Sequence, residues 1–560
     1  MNPLDSQAIP VSEPNKQRRA KEAGLVRSAG IISVAVALSR LTGLIRERVM
    51  AHYFGASEIY DAFLVGFRIP NLTRDLFAEG ALSSAFVPIF TRYLTTKSKE
   101  EARELSNLVA TALIIIVGGF CVIGMIFAPQ LVDLFAGAFH KVPGKFELAV
   151  SLTRVMFPFL LLVALAAQAM GVLNANGQFG IPAMSSTFFN LGSVLFGILL
   201  GIWLGPHLGI APIYGMAYGV VIGGMLQWLS QMPSLIRRGF AFRLRFNPRH
   251  EGLVKIMRLM GPAILGNASV QINVLVNTNF AAGITDAAGH VINGPVSWLS
   301  YAFRFMQLPL GLFGVSIASA TLPSISRSAA EQNMEEFRAT LSRSIAMTLL
   351  LSIPSAVGLA ILGESMIGVV YQSGRFHASD THQTAVALAC YAVGLAGYST
   401  LKILAPAFYA LNDARTPMIV SLISIVVNLA VASTMVKVAG LGHAGLALST
   451  STVAIFGSIV LLMAMRARIG GIRGGELFNS FWKICAAGAL MSATIYATSH
   501  GIHAYLGNHV RTHLLDLLIS IPVGGAVFYF AARALAVAEL EAATRAVAAP
   551  ITRRLGGRKR

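Results

Sequence analysis

The chain alternates long apolar stretches with short polar turns. A helix that crosses the hydrocarbon core of a bilayer needs about 20 mostly apolar residues. Stretches of this kind fall near 28–50, 60–91, 106–136, 148–173, 183–204, 211–236, 253–284 and 296–326. Six more fall near 339–363, 381–411, 417–437, 442–465, 478–500 and 512–537. The pattern predicts an all-α polytopic membrane protein with about fourteen transmembrane helices. The first, second and eighth stretches are more polar than the others.

Composition agrees. Charged residues are 12% of the chain and hydrophobic residues 55%, against roughly 25% charged in a soluble domain. A water-soluble fold of 560 residues lacks the charges to cover its surface, and disorder, collagen and a disulfide scaffold are excluded by the same figures. Cys121, Cys390 and Cys485 lie in separate apolar stretches with no metal-ligand spacing, so they read as buried small hydrophobes and no metal site is expected. The polar, basic start and the absence of a cleavage site predict no signal peptide.

The net charge of +19 matters mainly through its placement. Loops after even-numbered spans carry Arg92, Lys97, Lys99 and Arg103, then Arg237, Arg238, Arg243, Arg245 and Arg249, then Arg327, Arg338 and Arg343, and later Arg466, Arg468 and Arg473. Loops after odd-numbered spans hold only Lys141, Lys145, Arg375, Lys437 and Arg511. Lys and Arg mark the cytoplasmic side, which predicts both termini inside. No nucleic-acid partner is expected, although a tail ending Arg558-Lys559-Arg560 is basic enough to touch one.

Two segments about 235–239 residues apart resemble each other. Phe67-Arg68-Ile69-Pro70 leads to Pro88 and Arg92, while Met306-Gln307-Leu308-Pro309 leads to Pro323 and Arg327. Leu173-Asn174 before Pro182 echoes Leu411-Asn412 before Pro417. Six spans per half place both copies in the same orientation, in a pseudo-two-fold arrangement that suits alternating access. The expected organisation is a cytoplasmic basic segment 1–26, an N-lobe 27–238, a cytoplasmic linker 239–252, a C-lobe 253–468, two last spans within 469–537, and a basic cytoplasmic tail 538–560.

Charges inside the polar spans carry the chemistry. Span one holds Arg40, Arg46, Glu47 and Arg48; span two holds Asp61, Arg68, Arg74, Asp75 and Glu79; span eight holds Arg304. Each ionised group at mid-membrane costs about 2.5–3.5 kcal/mol, so several must share a hydrated interior. Ser39, Gly43 and Arg46 share one helical face, and Asp61, Arg68, Asp75 and Glu79 form one stripe. Asp61 or Glu79 neutralising Arg68 explains that stripe as well as a ligand does. Arg46, Arg74 and Arg304 exceed what nearby carboxylates need, and a guanidinium fork matches phosphate oxygens. Arg48 is expected at the outer end of its span, reaching toward the interface. Walker, HExxH and GxSxG patterns are missing, and the histidines read as interfacial. No catalytic residue is expected: the protein is read as a transporter and not an enzyme.

Ser39-Arg40-Leu41-Thr42-Gly43-Leu44-Ile45-Arg46-Glu47, Tyr53-Phe54-Gly55-Ala56, Asp61-Ala62-Phe63, Pro70-Asn71-Leu72-Thr73-Arg74 and Phe77-Ala78-Glu79-Gly80-Ala81 resemble the MurJ (MviN) family. So do Gly261-Pro262-Ala263 and Ala405-Pro406-Ala407 with Asp413, Thr416 and Pro417. The likeness runs over residues 27–537. It implies a lipid II flippase of the MOP exporter superfamily in the bacterial inner membrane, working in peptidoglycan biosynthesis and so in cell shape. It also implies two six-helix lobes plus two last helices that form a groove for the lipid tail. The family's important positions fall on Arg40, Arg46, Arg74, Arg304 and Asp61. Phe303 and Gln307 stand where some members carry acids, and Arg68 stands where a Lys is usual.

The reading is therefore a cationic cavity that binds the pyrophosphate of lipid II and carries it from the inner to the outer leaflet. Arg40, Arg46, Arg74, Arg304 and Ser39 are the substrate-binding candidates. Asp61, Arg68, Glu79 and Asp413 are the candidates for charge coupling or ion pairing, with a helix cap as the equal alternative for Asp413. No cofactor is expected; coupling to the membrane potential or to a monovalent cation stays open. Membrane lipid and cell-wall synthesis proteins are the remaining expected partners. The alternatives are an exporter of another polyprenyl-pyrophosphate-linked glycan and a membrane glycan polymerase.

Overall fold

The computed structural model describes residues 13–74, 82–541 and 544. Its elements are helices, and the only pairing of extended backbone among the described residues is one bridge between Thr285 and Val291. Span one is the long helix α1 (Glu13–Phe54), and span two is α2 (Glu58–Arg74) followed by α3 (Ser83–Thr96). A capping box of Ser98 and Glu101 starts α4 (Lys99–Ile126), which stops short of the expected end of span three; α5 (Ala128–Ala136) completes it. Span four is α6 (Lys145–Met156) and α7 (Pro158–Ala175), parted where Pro158 opens a new helix. Then come α8 (Gly180–Ile198), the short α9 (Gly205–Leu208), α10 (Pro212–Leu229), the short α11 (Met232–Arg237) and α12 (Glu251–Ala282).

Span eight runs through α13 (Pro295–Pro309), a π-helical stretch Leu310–Val315 and α14 (Ser316–Ala330). Pro309 thus widens the helix instead of ending it, because a missing N–H removes one i→i−4 bond and the wider turn absorbs the mismatch. After α15 (Met334–Tyr371), span ten is bent by 44° between α16 (Ala378–Val393) and α17 (Leu395–Ala410). The last helices are α18 (Arg415–Ser433), α19 (Gly442–Arg468), α20 (Gly474–Leu506) and α21 (Val510–Ala534). Each expected span coincides with a helix or a broken run of helices. Among the described residues eight are long and apolar enough to cross a membrane, or nine counting the bent pair. The eighth span is one of them, polar as its sequence is. Of the cysteines only Cys121 is buried, while Cys390 and Cys485 are half-buried, and all three are free.

The echo between halves has a structural counterpart. α7 and α17 end in the same cap: Gln178 N–H donates to Leu173 O and Gly177 N–H to Asn174 O, as Asp413 N–H does to Phe408 O and Asn412 N–H to Tyr409 O. Gly177 (φ 73°) and Asn412 (φ 57°) take the left-handed position. The matching residue of Asn412 is therefore Gly177, not Asn174. α8 and α18 both finish in five-residue π turns, Leu199–Trp203 and Thr434–Val438.

By contacts the chain forms two compact units. One comprises Met1–Arg46, Pro70–Phe127 and Leu152–Ile264; the other comprises Glu47–Ile69, Ala128–Ser151 and Leu265–Arg560. In the first, α8 and α10 touch through glycines: a Cβ on Gly219 would lie 2.5 Å from Ser193 O, and one on Gly223 2.6 Å from Phe189 O. In the second, one apolar core joins Phe337, Leu341, Phe408 and Met465, and another joins Leu350, Leu362, Ile484 and Phe528.

Candidate functional site

In the first unit, the Ser39, Gly43 and Arg46 face of α1 packs on α8, as its spacing implied. Asn190 Nδ2 donates to Ser39 O at 3.0 Å, and a Cβ on Gly43 would meet that same amide at 3.4 Å. The Arg46 guanidinium lies 5.3 Å from the centre of the Phe189 ring, within cation–π range. Arg40 is exposed, and Arg74 is the last, half-buried residue of α2. Asp75 and Glu79 lie outside the described residues.

The second unit answers the question of a partner for Arg304. With Phe303 and Gln307 beside it, the arginine has no local acid, but Glu47 supplies one from α1: Arg304 Nη2 lies 2.5 Å from Glu47 Oε1. The other Glu47 oxygen accepts from the Tyr371 hydroxyl at 2.9 Å. Glu47 is buried, whereas the Arg304 side chain is 48% exposed. The buried carboxylate thus orients a guanidinium whose side chain stays about half exposed. Arg48 is exposed, but it does not merely reach for the interface: its Nη1 donates to the carbonyls of Val369 (3.1 Å) and Val370 (2.7 Å) in the last turn of α15, groups that a helix end leaves without partners.

Asp61 is 1% exposed and neutralises Lys145, not Arg68: Lys145 Nζ lies 3.1 Å from its Oδ2, and that lysine is equally buried. The carboxylate also accepts from Gly294 N (2.8 Å), Ser297 N (3.0 Å) and Ser297 Oγ (2.6 Å). Lys145 in turn donates to Asn293 Oδ1 at 2.8 Å. The carboxylate accepts four hydrogen bonds, and the ammonium donates two and lies 4.2 Å from the centre of the Phe139 ring, the kind of satisfaction a buried pair needs to persist. Arg68 donates to Thr278 Oγ1 at 2.7 Å. Asp413 caps α18: it accepts from Thr416 N at 3.0 Å and Thr416 Oγ1 at 2.8 Å. Those bonds, the backbone one first, hold its carboxyl below the usual range.

Reading the sequence missed Lys145 and Tyr371. A signal for Lys145 was present: odd loops hold few cations, so a carboxylate near the outer end of span two had few choices. Tyr371 had no such signal, since a tyrosine in an apolar span usually packs as an aromatic.

Eight or nine helices long and apolar enough to cross a membrane among the described residues define a polytopic membrane protein. A multidrug transporter of the MATE family, titled an inward-facing conformation of the MOP superfamily, shares the fold at TM-score 0.66 and 18% identity, over 78% of this chain and 94% of that one. A structure titled "Lipid II flippase MurJ, inward closed conformation" matches at TM-score 0.73 and 27% identity, over 90% of this chain and 99% of its own. The Lipid II flippase MurJ of Burkholderia cenocepacia is 36% identical over 449 residues, 79% of this chain and 84% of that protein. The family model described as "Lipid II flippase MurJ" matches residues 50–515. The chain belongs to the lipid II flippase MurJ family.

Proposed function

We propose that Arg46 and Arg304, aided by Arg40, Arg74 and Ser39, bind the pyrophosphate of lipid II. The protein itself is a multi-pass membrane transporter, a lipid II flippase, and not an enzyme. One observation carries the binding proposal. Arg304 is held by a buried carboxylate while nearly half of its side chain stays open. A fork so oriented loses little freedom on meeting an anion, and two parallel N–H bonds to phosphate oxygens are stronger than a point-charge contact. Arg46, steadied on Phe189, presents a second fork.

The proposal extends to placement and drive. The protein sits in the bacterial cytoplasmic membrane with both termini inside, a reading supported by the Lys and Arg excess in the even loops. The headgroup carries negative charge, and moving one charge through 100 mV is worth about 2.3 kcal/mol. An inside-negative potential therefore favours outward movement of the bound anion. Asp61 and Lys145 act as a fixed structural pair, and Asp413 as a cap, so neither is assigned to a coupling ion.

Precursor binding to purified protein tests the site. Arg304→Glu is expected to lose binding, and adding Glu47→Arg to swap the pair should not restore it. Full repair by the swap would make Arg304 a structural partner of Glu47 and remove it from the site.

A further inference from the structure

The end of α20 and the start of α21 meet α15 at a polar cluster beside an apolar core that includes Leu362, Ile484, Ile495 and Phe528. Asp516 at its centre is fully buried. Its carboxylate accepts from Ser365 Oγ (2.5 Å), Ser499 Oγ (2.8 Å) and Ser520 Oγ (2.7 Å). The single hydroxyl proton of Ser365 is thereby committed. The ring nitrogens that face Ser365 Oγ, His503 Nε2 at 3.1 Å and His513 Nδ1 at 3.4 Å, must then each carry a hydrogen. His503 Nε2 also lies 3.4 Å from Asp516 Oδ2. Among the described residues the other nitrogen of that ring, Nδ1, is buried and has no hydrogen-bond partner.

We propose that this cluster is a proton-binding site, with His503 Nδ1 as the atom that takes the proton and Asp516 as its fixed counter-charge. The inference stands on these contacts and does not rest on the lipid II reading. With Nε2 already protonated, the Nδ1 lone pair is the vacant position. A proton arriving there turns a neutral imidazole beside a carboxylate into an imidazolium–carboxylate pair, and the cluster goes from one negative charge to none. Apolar surroundings strengthen the pull of Asp516 above its value in water. His503 sits in the last turn of α20, where the helix dipole favours a cation. Its side chain is 20% exposed next to the turn at 507–509, which gives the proton a way in.

Other titratable groups around it are few. On α15, Glu364 is turned to His382 of α16 at 3.6 Å. His509 precedes α21, and Arg511 on its first turn is exposed. His500 on α20 stacks on Tyr496. Gly368 of α15 makes room for the His513 ring, since a Cβ there would lie 2.6 Å from His513 Cδ2. Because the cluster joins α15 to both last helices, protonation closes a charge-paired clasp on them.

The test is ¹⁵N imidazole spectroscopy of the full chain in lipid nanodiscs, titrated from roughly pH 5 to 8. His503→Gln keeps an N–H donor toward Ser365 but has no atom that takes a proton, so it identifies the signal. That signal is expected to gain an Nδ1 proton within the range, and Asp516→Asn should weaken the proton affinity at least tenfold, about one pH unit. Should Asp516→Asn fail to insert, Ser499→Ala leaves the carboxylate with one donor fewer and should raise the affinity instead. A His503 Nδ1 that stays bare throughout, or an affinity that none of these changes moves, overturns the proposal.

Discussion

Arg304 and Lys145 show two fates for a cation inside an apolar span. Lys145 and Asp61 are both 1% exposed and bonded to each other and to their neighbours, so removing one partner strands a buried charge. Lys145→Met is expected to destabilise the protein by about 3–5 kcal/mol, read as a drop in thermal unfolding temperature and a loss of folded protein. Arg304 is half-open, so solvent screens its pair with Glu47 and the stability effect is smaller. Arg304→Ala and Arg46→Ala should insert and fold yet fail to complement loss of the flippase, and Arg→Lys should rescue poorly because a point charge lacks the fork. Asp413 differs again. Its carboxyl is held low by Thr416, so its cap contributes above the unfolded value near 3.9 and is lost as pH falls through the lower folded value. Asp413→Asn should remove that acid-range component of stability and leave flipping unchanged. Charge in an apolar setting singled out the candidate residues. Their partners were not, because Glu47 and Arg304, or Asp61 and Lys145, come from distant parts of the chain and no periodicity links them.

Helix boundaries follow prolines and caps that act locally, although hydropathy ran span four through Pro158 and began span three only at residue 106. Pro158 opens α7, and Ser98 with Glu101 opens α4. At Pro309 the π-helical stretch that follows lets the helix continue, as the unbroken span 296–326 expected, and such accommodation depends on what packs around it. The α8–α10 contact was also hidden. Gly215, Gly219 and Gly223 recur every fourth residue, but only the structure shows backbone within 2.1–2.6 Å of where their Cβ atoms would be. Gly219→Val is expected to part α8 from α10 and abolish folded protein in a detergent thermal-shift assay. The paired caps make a gentler prediction. Gly177→Val has open space for its side chain but must hold a left-handed backbone, at a cost of about 1–2 kcal/mol. Asn412→Gly, by the same logic, should be neutral or slightly stabilising in urea or thermal unfolding.

For the whole molecule, hydropathy predicted the architecture well, because a bilayer demands long apolar helices and the chain has little else. It counted about fourteen spans where eight or nine helices pass on length and apolarity alone. The others include α2 and α3, which at 17 and 14 residues fall short in length. The proposed orientation rests on loop charge: Arg245→Cys and Gly470→Cys should be protected from impermeant thiol reagents added outside, while His290→Cys should label. Labelling of position 245 in intact cells would reverse the orientation. The central claim, that this flippase carries lipid II by gripping its pyrophosphate with arginines, is tested most directly in cells that depend on this chain as their only flippase. Lipid II in the outer leaflet is measured by its accessibility to an external probe, for the native chain and for Arg304→Ala at equal membrane abundance. The account predicts outer-leaflet lipid II with the native chain and its loss, with accumulation inside, for Arg304→Ala; an undiminished outer-leaflet pool in the variant would contradict it.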